Sequence, residues 1–346
     1  MISITQEKIM SNWKGTEPLV SIRCITYNQA QYISNALDGF LMQETSFPFE
    51  IIVHDDASTD NTAYIIAQYE KKFPEIVKPI YEKENQYSKK DNTLNSIILP
   101  KLTGKYTAYC EGDDFWTDKK KLQMQVDFLE NNPDYAFCCT DVDIHYDYKK
   151  RYERSITKRQ KNHLDFQNGI KSSGYLLNLT WLFRTDLYKK IINENTTFFC
   201  DSALQLFYEF CLRTKCKYIN SVTGVYRRNT NGVSFFSKEQ DRKKYEYFKS
   251  CFLLILQYLP KFNCSEEMES EIYIKNIEYV LKPAIKYEDE EIIQLFLTFT
   301  NNRKGMFLCE LYDIINQKEK QIKRTLSYRL GNLLLWPIKK IGCKRT

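Results

Sequence analysis

Glu50-Ile51-Ile52-Val53-His54-Asp55-Asp56-Ala57-Ser58-Thr59-Asp60 is where the fold of this 346-residue chain can be read. An apolar run from Phe49 to Val53 stops at His54-Asp55-Asp56, and Ser58, Thr59 and Asp60 then offer N-caps to a helix through about Phe73. A short strand with an acidic end, followed by a helix, is a βα unit. The same pattern recurs on both sides. Upstream, Leu19 to Thr26 is apolar and precedes a helix with Ile33, Leu37, Phe40 and Leu41 on one face. Downstream, Ile76 to Tyr81 is a third run. Tyr106 to Cys110 is a fourth, delivering Glu111-Gly112-Asp113-Asp114 at its C-terminal end. Leu122, Val126 and Leu129 then mark a helix that ends near Asn131-Asn132-Pro133. Alternation of this kind predicts an α/β, Rossmann-like and mostly parallel sheet flanked by helices.

Further along, Tyr135 to Thr140 and Leu176 to Phe183 read as strands, Asp147 to Lys171 as a flexible loop, and Asp201 to Leu212 as a helix. Beyond about Phe235 helical periodicity takes over, as at Ile274, Ile277 and Leu281, with Pro260 and Pro283 as interruptions. The expected organisation is therefore a sheet domain over residues 1–235 and a helical C-terminal region over 236–346.

Composition excludes several classes. The chain is 43% hydrophobic and 14% aromatic, which fits an ordered globular protein. Its net charge of +6 comes from the tail, where residues 320–346 carry eight Lys or Arg and no acid. Without them 42 basic face 44 acidic residues, so a nucleic-acid partner has no basic groove to occupy. Eleven cysteines show no CxxC spacing, and the N-terminus has no apolar signal core; free thiols in the reducing cytoplasm are expected. No apolar run approaches the ~20 residues needed to cross a bilayer.

The acids carry the chemistry. Asp55-Asp56 and Glu111/Asp113/Asp114 follow different strands, yet ligands of open α/β sheets bind beyond strand C-termini, so both groups are expected at one sheet edge. Such convergence is costly unless a cation offsets it, and all-oxygen ligands favour Mg²⁺ or Mn²⁺ over zinc. An isolated Gly-Asp-Asp is more often a turn than a ligand set; the pairing with Asp55-Asp56 argues otherwise.

Val20-Ser21-Ile22 through Thr26-Tyr27-Asn28, then Glu50 to Asp60, then Glu111-Gly112-Asp113-Asp114-Phe115-Trp116 resembles, in order and spacing, the family 2 glycosyltransferases of the GT-A fold. The resemblance covers about residues 18 to 235. It implies a nucleotide-sugar donor, probed by Tyr27, Asn28, Asp55 and Asp56 at its nucleoside end, and a DxD-type metal site at Asp113 and Asp114. Glu111 stands where the family has its first Asp, and His54 where it has an apolar residue, here read as a core histidine. Inverting transfer needs a base for the acceptor hydroxyl. The family places an Asp or Glu at the start of a later helix, which here implies Asp201, a residue equally suited to cap that helix. Val225-Tyr226-Arg227-Arg228 resembles the family's Tyr-Arg element, implying that Arg227 or Arg228 offsets diphosphate charge; a solvated basic turn is the alternative. Asp60 reads as a helix cap, and Trp116 as either a sugar platform or core. None of the four tryptophans follows an Arg, so the Gln-x-x-Arg-Trp element of processive synthases is absent and single transfers are expected.

The tail from Ser327 to Lys340 mixes apolar and cationic residues, as in Leu333-Leu334-Leu335-Trp336-Pro337-Ile338-Lys339-Lys340. It suits either a peripheral position on the inner membrane face, beside a lipid-linked glycan acceptor, or a helix docked on the core. A Gly-rich phosphate loop after the first strand is missing, since no glycine lies between Gly15 and Gly39; this argues against nucleotidyltransferases and dinucleotide enzymes. A catalytically degenerate GT-A protein that binds carbohydrate or nucleotide is the non-enzymatic alternative.

Overall fold

The structure is a computed structural model, and it describes residues 3–89, 91–154, 177–195, 202–229 and 240–302. The described residues fall into two compact units, the first ending at Asn229 and the second beginning at Gln240.

In the first unit the strands are β1 (Val20–Thr26), β2 (Phe49–Asp55), β3 (Val77–Tyr81), β4 (Tyr106–Tyr109), β5 (Phe115–Trp116), β6 (Tyr135–Tyr146), β7 (Arg151–Glu153), β8 (Leu182–Arg184) and β9 (Lys215–Arg228). They form one sheet in the order β3-β2-β1-β4-β8-β6-β9-β5, with β7 added on β6. The pairs β3-β2, β2-β1 and β1-β4 are parallel, as is β6-β9, while β8, β7 and β5 join antiparallel. β1 and β2 are buried almost throughout because helices cover them, which is why they read as unbroken apolar runs. Helix α1 (Gln6–Met10) precedes them; α2 (Ile33–Leu41) buries Ile33, Ala36, Leu37, Phe40 and Leu41, the i, i+3, i+4, i+7, i+8 stripe of a core-facing helix. Next come α3 (Thr62–Lys72), α4 (Thr93–Ile98), α5 (Lys121–Asn131), α6 (Thr185–Glu194) and α7 (Ser202–Arg213).

Several expected boundaries move. β6 continues to Tyr146 rather than stopping at Thr140, because Asp141-Val142-Asp143-Ile144 keeps the period-two alternation of a strand despite its acids. The expected loop after Asp147 begins with a 3₁₀ turn and β7, and residues 155–176 lie outside the described residues. The strand expected from Leu176 shortens to Leu182–Arg184 behind a 3₁₀ turn at Asn178–Thr180. β9 spans 14 residues where the sequence predicts no strand; charged residues and Asn220-Ser221, where the register with β6 shifts, hide its alternation.

The second unit is helical through the described residues: Asp241–Tyr258, Glu266–Asn276, Lys282–Tyr287 and Glu290–Asn302. Ser265 caps the second of these by accepting the Met268 N–H at 3.3 Å. Pro283 follows closely on a π-helical turn at Ile277–Leu281, a local irregularity of the helical ladder at a residue that has no N–H to give. Phe252, Tyr273, Phe296 and Phe299 make its aromatic core, Tyr273 and Phe299 stacking at 3.8 Å. No described helix is long and apolar enough to cross a membrane. The basic tail lies outside the described residues.

Candidate functional site

The two acidic groups come together at the end of β1. Thr26 is in register with Asp55 on one side. On the other side β4 pairs only as far as Arg23 with Tyr109, and the chain then runs on along β1: the Cys110 N–H donates to the Arg23 carbonyl at 3.2 Å and the Gly112 N–H to the Ile25 carbonyl at 3.0 Å. Residue 112 must be glycine here, since a Cβ would stand 2.5 Å from Gln29 Oε1 and 2.8 Å from the Thr26 side chain.

Around Gly112 the three acids face different ways. Glu111 accepts the Ile25 N–H at 3.2 Å and lies 3.5 Å from the guanidinium of Arg23, itself buried and 4.5 Å from the Tyr109 ring centre. Asp114 is buried, its Oδ1 accepting the Arg227 N–H at 2.7 Å, which fixes the acidic loop to β9. Asp113 remains partly exposed; its Oδ2 accepts from Asn229 Nδ2 at 3.1 Å, and its carbonyl accepts from Arg227 at 2.6 Å. Burial pushes all three carboxyls above the usual range, and at Asp114 and Glu111 the negative charge of Asp113 adds to it.

Arg227 is the keystone of this side. Its guanidinium lies between the rings of Tyr32 at 4.6 Å and Phe115 at 4.8 Å, and Nε lies 3.7 Å from Asp147. Arg228 points the other way, exposed.

Across β1 the partners are smaller. Tyr27 is 45% exposed, and Asn28 takes a left-handed φ of 53°. Asn28 donates its N–H to Ser58 Oγ at 2.9 Å and accepts the Thr59 N–H at 2.7 Å, while Ser58 donates to Asp55. Asp55 is buried, which raises its carboxyl. Asp56 is buried too, and each of its oxygens accepts a backbone N–H, from Gln86 at 2.7 Å and from Tyr87 at 3.0 Å. The Glu82 N–H donates to the Asp55 carbonyl at 3.0 Å, so the segment after β3 is tied to both acids.

The sequence profile described as "Glycosyl transferase family 2" matches residues 21–192. Residues 21–192 are a family 2 glycosyltransferase domain. Over 131 residues, 37% of this chain and 36% of the other, the chain is 43% identical to an uncharacterized protein of Mycobacterium tuberculosis. Over 121 residues, 35% of this chain and 44% of the relative, it is 37% identical to TuaG of Bacillus subtilis, whose name assigns it to teichuronic acid biosynthesis. These matches thus span less than half of the curated relatives' own length. Two solved structures share the fold: S. aureus TarS in complex with UDP-GlcNAc, at TM-score 0.56 and 17% identity over 77% of this chain and 74% of TarS, and the mannosyltransferase PcManGT of Pyrobaculum calidifontis in complex with GDP-Man and Mn²⁺, at 0.55 and 16% over 95% and 88%. The fold is GT-A.

Within the glycosyltransferase domain, Trp116 belongs to the core: it is 2% exposed, donates to the Leu179 carbonyl at 2.7 Å and packs edge-on against Phe40. Asp60 joins two segments, accepting the Thr62 N–H at the start of α3 at 2.9 Å and the Ala30 N–H at 3.1 Å. His54 is a core histidine whose ring nitrogens find no hydrogen bond, with Nε2 3.4 Å from Glu82, and burial lowers its pKa. Asp201 lies outside the described residues; α7 begins at Ser202. Arg23, Tyr32, Asp147 and Asn229 were missed by sequence reasoning. Arg23 alone carried a signal, a charge inside an otherwise apolar strand.

The donor set suits a divalent ion only in part. No three His, Cys, Asp or Glu side chains converge to hold a metal among the described residues. Asp113, partly exposed between the buried Asp114 and the partly exposed Glu111, matches a hard cation bound by one or two carboxylates and completed by substrate phosphate oxygens.

Proposed function

We propose that the chain transfers a sugar from a nucleotide-diphosphate donor, a UDP-sugar, to a glycan or lipid-linked glycan acceptor in cell-envelope polysaccharide assembly, with inversion and one sugar per encounter. The observation that carries this reading is the meeting of Asp55-Asp56 and Glu111-Asp113-Asp114 on either side of the end of β1. The nucleotide-sugar complexes of TarS and PcManGT and the envelope role in TuaG's name support the donor class and the setting.

Tyr27, Asn28 and Asp55 bind the nucleoside end in this reading, and Asp56 acts through the segment it holds. Asp113 faces the diphosphate as the principal metal ligand, with Asp114 and Glu111 shaping the loop behind it. A bound Mg²⁺ or Mn²⁺ supplies charge neutralisation on the leaving diphosphate. Arg227, fixed beside Asp113, adds positive charge at that position. Asp201 takes the acceptor hydroxyl's proton on the face opposite the leaving group, which inverts the anomeric carbon.

The full chain, given UDP-, GDP- and TDP-sugars with Mn²⁺ and candidate acceptors, should release UDP, and Asp201→Asn should stop release while leaving donor binding in place. Full activity in Asp201→Asn removes the base assignment. Absence of any metal-dependent nucleotide binding in a thermal-shift assay would instead identify a degenerate GT-A binding protein.

A further inference from the structure

The strands that end beside the acidic loop also build a cationic surface. Tyr146 of β6 is in register with Arg151 of β7 on one side and Arg228 of β9 on the other. Residues in register on adjacent strands project from the same face, so the three form a row. The guanidinium of Arg151 lies 6.0 Å and that of Arg228 5.8 Å from the Tyr146 ring centre. The turn between β6 and β7 adds Lys150 and Lys149, the latter 5.3 Å from the ring of Tyr148. All four cations are exposed, and none has an ion-pair partner among the described residues.

The nearby acids have partners of their own. Glu153 accepts the Tyr146 hydroxyl at 3.1 Å, Asp143 pairs with Arg154 at 2.5 Å, and Asp147 lies 2.6 Å from His145 and 3.7 Å from Arg227. Two guanidinium groups therefore share one aromatic ring, neither of them in an ion pair, while the carboxylate of Glu153 is bound to that ring's hydroxyl; an external anion offsets the remaining positive charge. Exposed Tyr148, in the turn beside the row, offers an aromatic surface of the kind that takes the apolar face of a sugar ring. The row adjoins the site along the chain, Arg228 following Arg227 and Tyr146 preceding Asp147, and it projects from the opposite face of the strands.

We propose that Arg151, Tyr146 and Arg228, with Lys149 and Lys150, form a binding platform for an anionic glycan, one bearing carboxylates or phosphates, held as acceptor at the ends of β6 and β9, where Arg227 and Asn229 meet the acidic loop. The assignment of the occupant as acceptor rests on the glycosyltransferase reading above; the platform itself rests on the exposed cations. A membrane headgroup layer would satisfy the same charges, but it would not need to sit at the strand ends that meet the acidic loop.

The test uses the full chain and a fluorescein-labelled oligogalacturonate followed by anisotropy, with a neutral maltooligosaccharide and phosphatidylglycerol vesicles as comparators. Wild type should bind the uronate, more weakly as NaCl rises. The Lys149→Glu/Arg151→Glu variant should bind roughly tenfold more weakly or worse, while charge-conserving Lys149→Arg/Arg151→Lys retains binding and both keep the UDP-induced thermal shift. Uronate bound no better than maltooligosaccharide, or bound equally by the charge-reversed variant, overturns the platform. Vesicle binding without uronate binding overturns it in favour of a membrane contact. A wild type that binds uronate but gives no UDP shift keeps the platform and removes the donor reading.

Discussion

Asp113 and Asp114 share a loop but have different tasks because only one of them is committed to the fold. Asp114 is 2% exposed and accepts a β9 backbone N–H, so Asp114→Ala leaves that donor buried without a partner, a loss of about 1–3 kcal/mol. Asp113 faces outward, with an Asn229 amide as its side-chain partner. Asp113→Asn should therefore change stability by less than about 1 kcal/mol and remove Mn²⁺-dependent UDP binding. Urea denaturation and UDP titration on both variants check this; equal stability losses would contradict the division. None of it was readable in the sequence, where the two aspartates look alike. The bond that separates them reaches across more than a hundred residues to Arg227, and a periodicity cannot report a contact of that range. What was legible was that acids cluster there; which acid turns inward depends on where β9 lies.

Elements were legible to the extent that burial is simple. β1, β2 and β4 are covered on both faces and announce themselves as apolar runs, whereas β6 and β9 mix charges into their alternation and were cut short or missed. The segment after β3 shows what that leaves out. Its link to the site is the pair of backbone N–H groups at Gln86 and Tyr87 on the Asp56 carboxylate, so Asp56 positions a segment whose Tyr87 side chain is 57% exposed. Asp56→Ala should free both donors. Amide exchange at Gln86 and Tyr87 should then accelerate with little change in β1 or β2, and the donor KM should rise more than kcat falls, since positioning is lost and the transfer chemistry is intact. Unchanged exchange at these two amides would show that Asp56 does not hold the segment.

On the scale of the whole first unit, the acidic loop is backed by a core containing a fully buried lysine. Lys121, the first residue of α5, donates to Gln125 at 2.5 Å and lies 4.2 Å from the Trp116 ring centre. Burial lowers its pKa from the ordinary 10.5 to about 8. The folded state thus binds the proton more weakly than the unfolded state. Below pH 8 both carry it, and the fold bears the full cost of a buried ammonium. Between about 8 and 10.5 the unfolded chain keeps a proton that the folded chain has released, so this group makes stability rise with pH, by about 3 kcal/mol over the window. Other buried groups titrate in the same range, and a comparison with Lys121→Met removes them because they are common to both proteins. The methionine variant has no ammonium to bury, so its stability relative to wild type should be highest near neutral pH and should decline by about 3 kcal/mol as the pH approaches 10.5. Urea denaturation of the two proteins across this range measures the difference directly. If their stabilities run parallel with pH, the Lys121 ammonium keeps its proton in the core, and Gln125 and the Trp116 face suffice to hold the charge there.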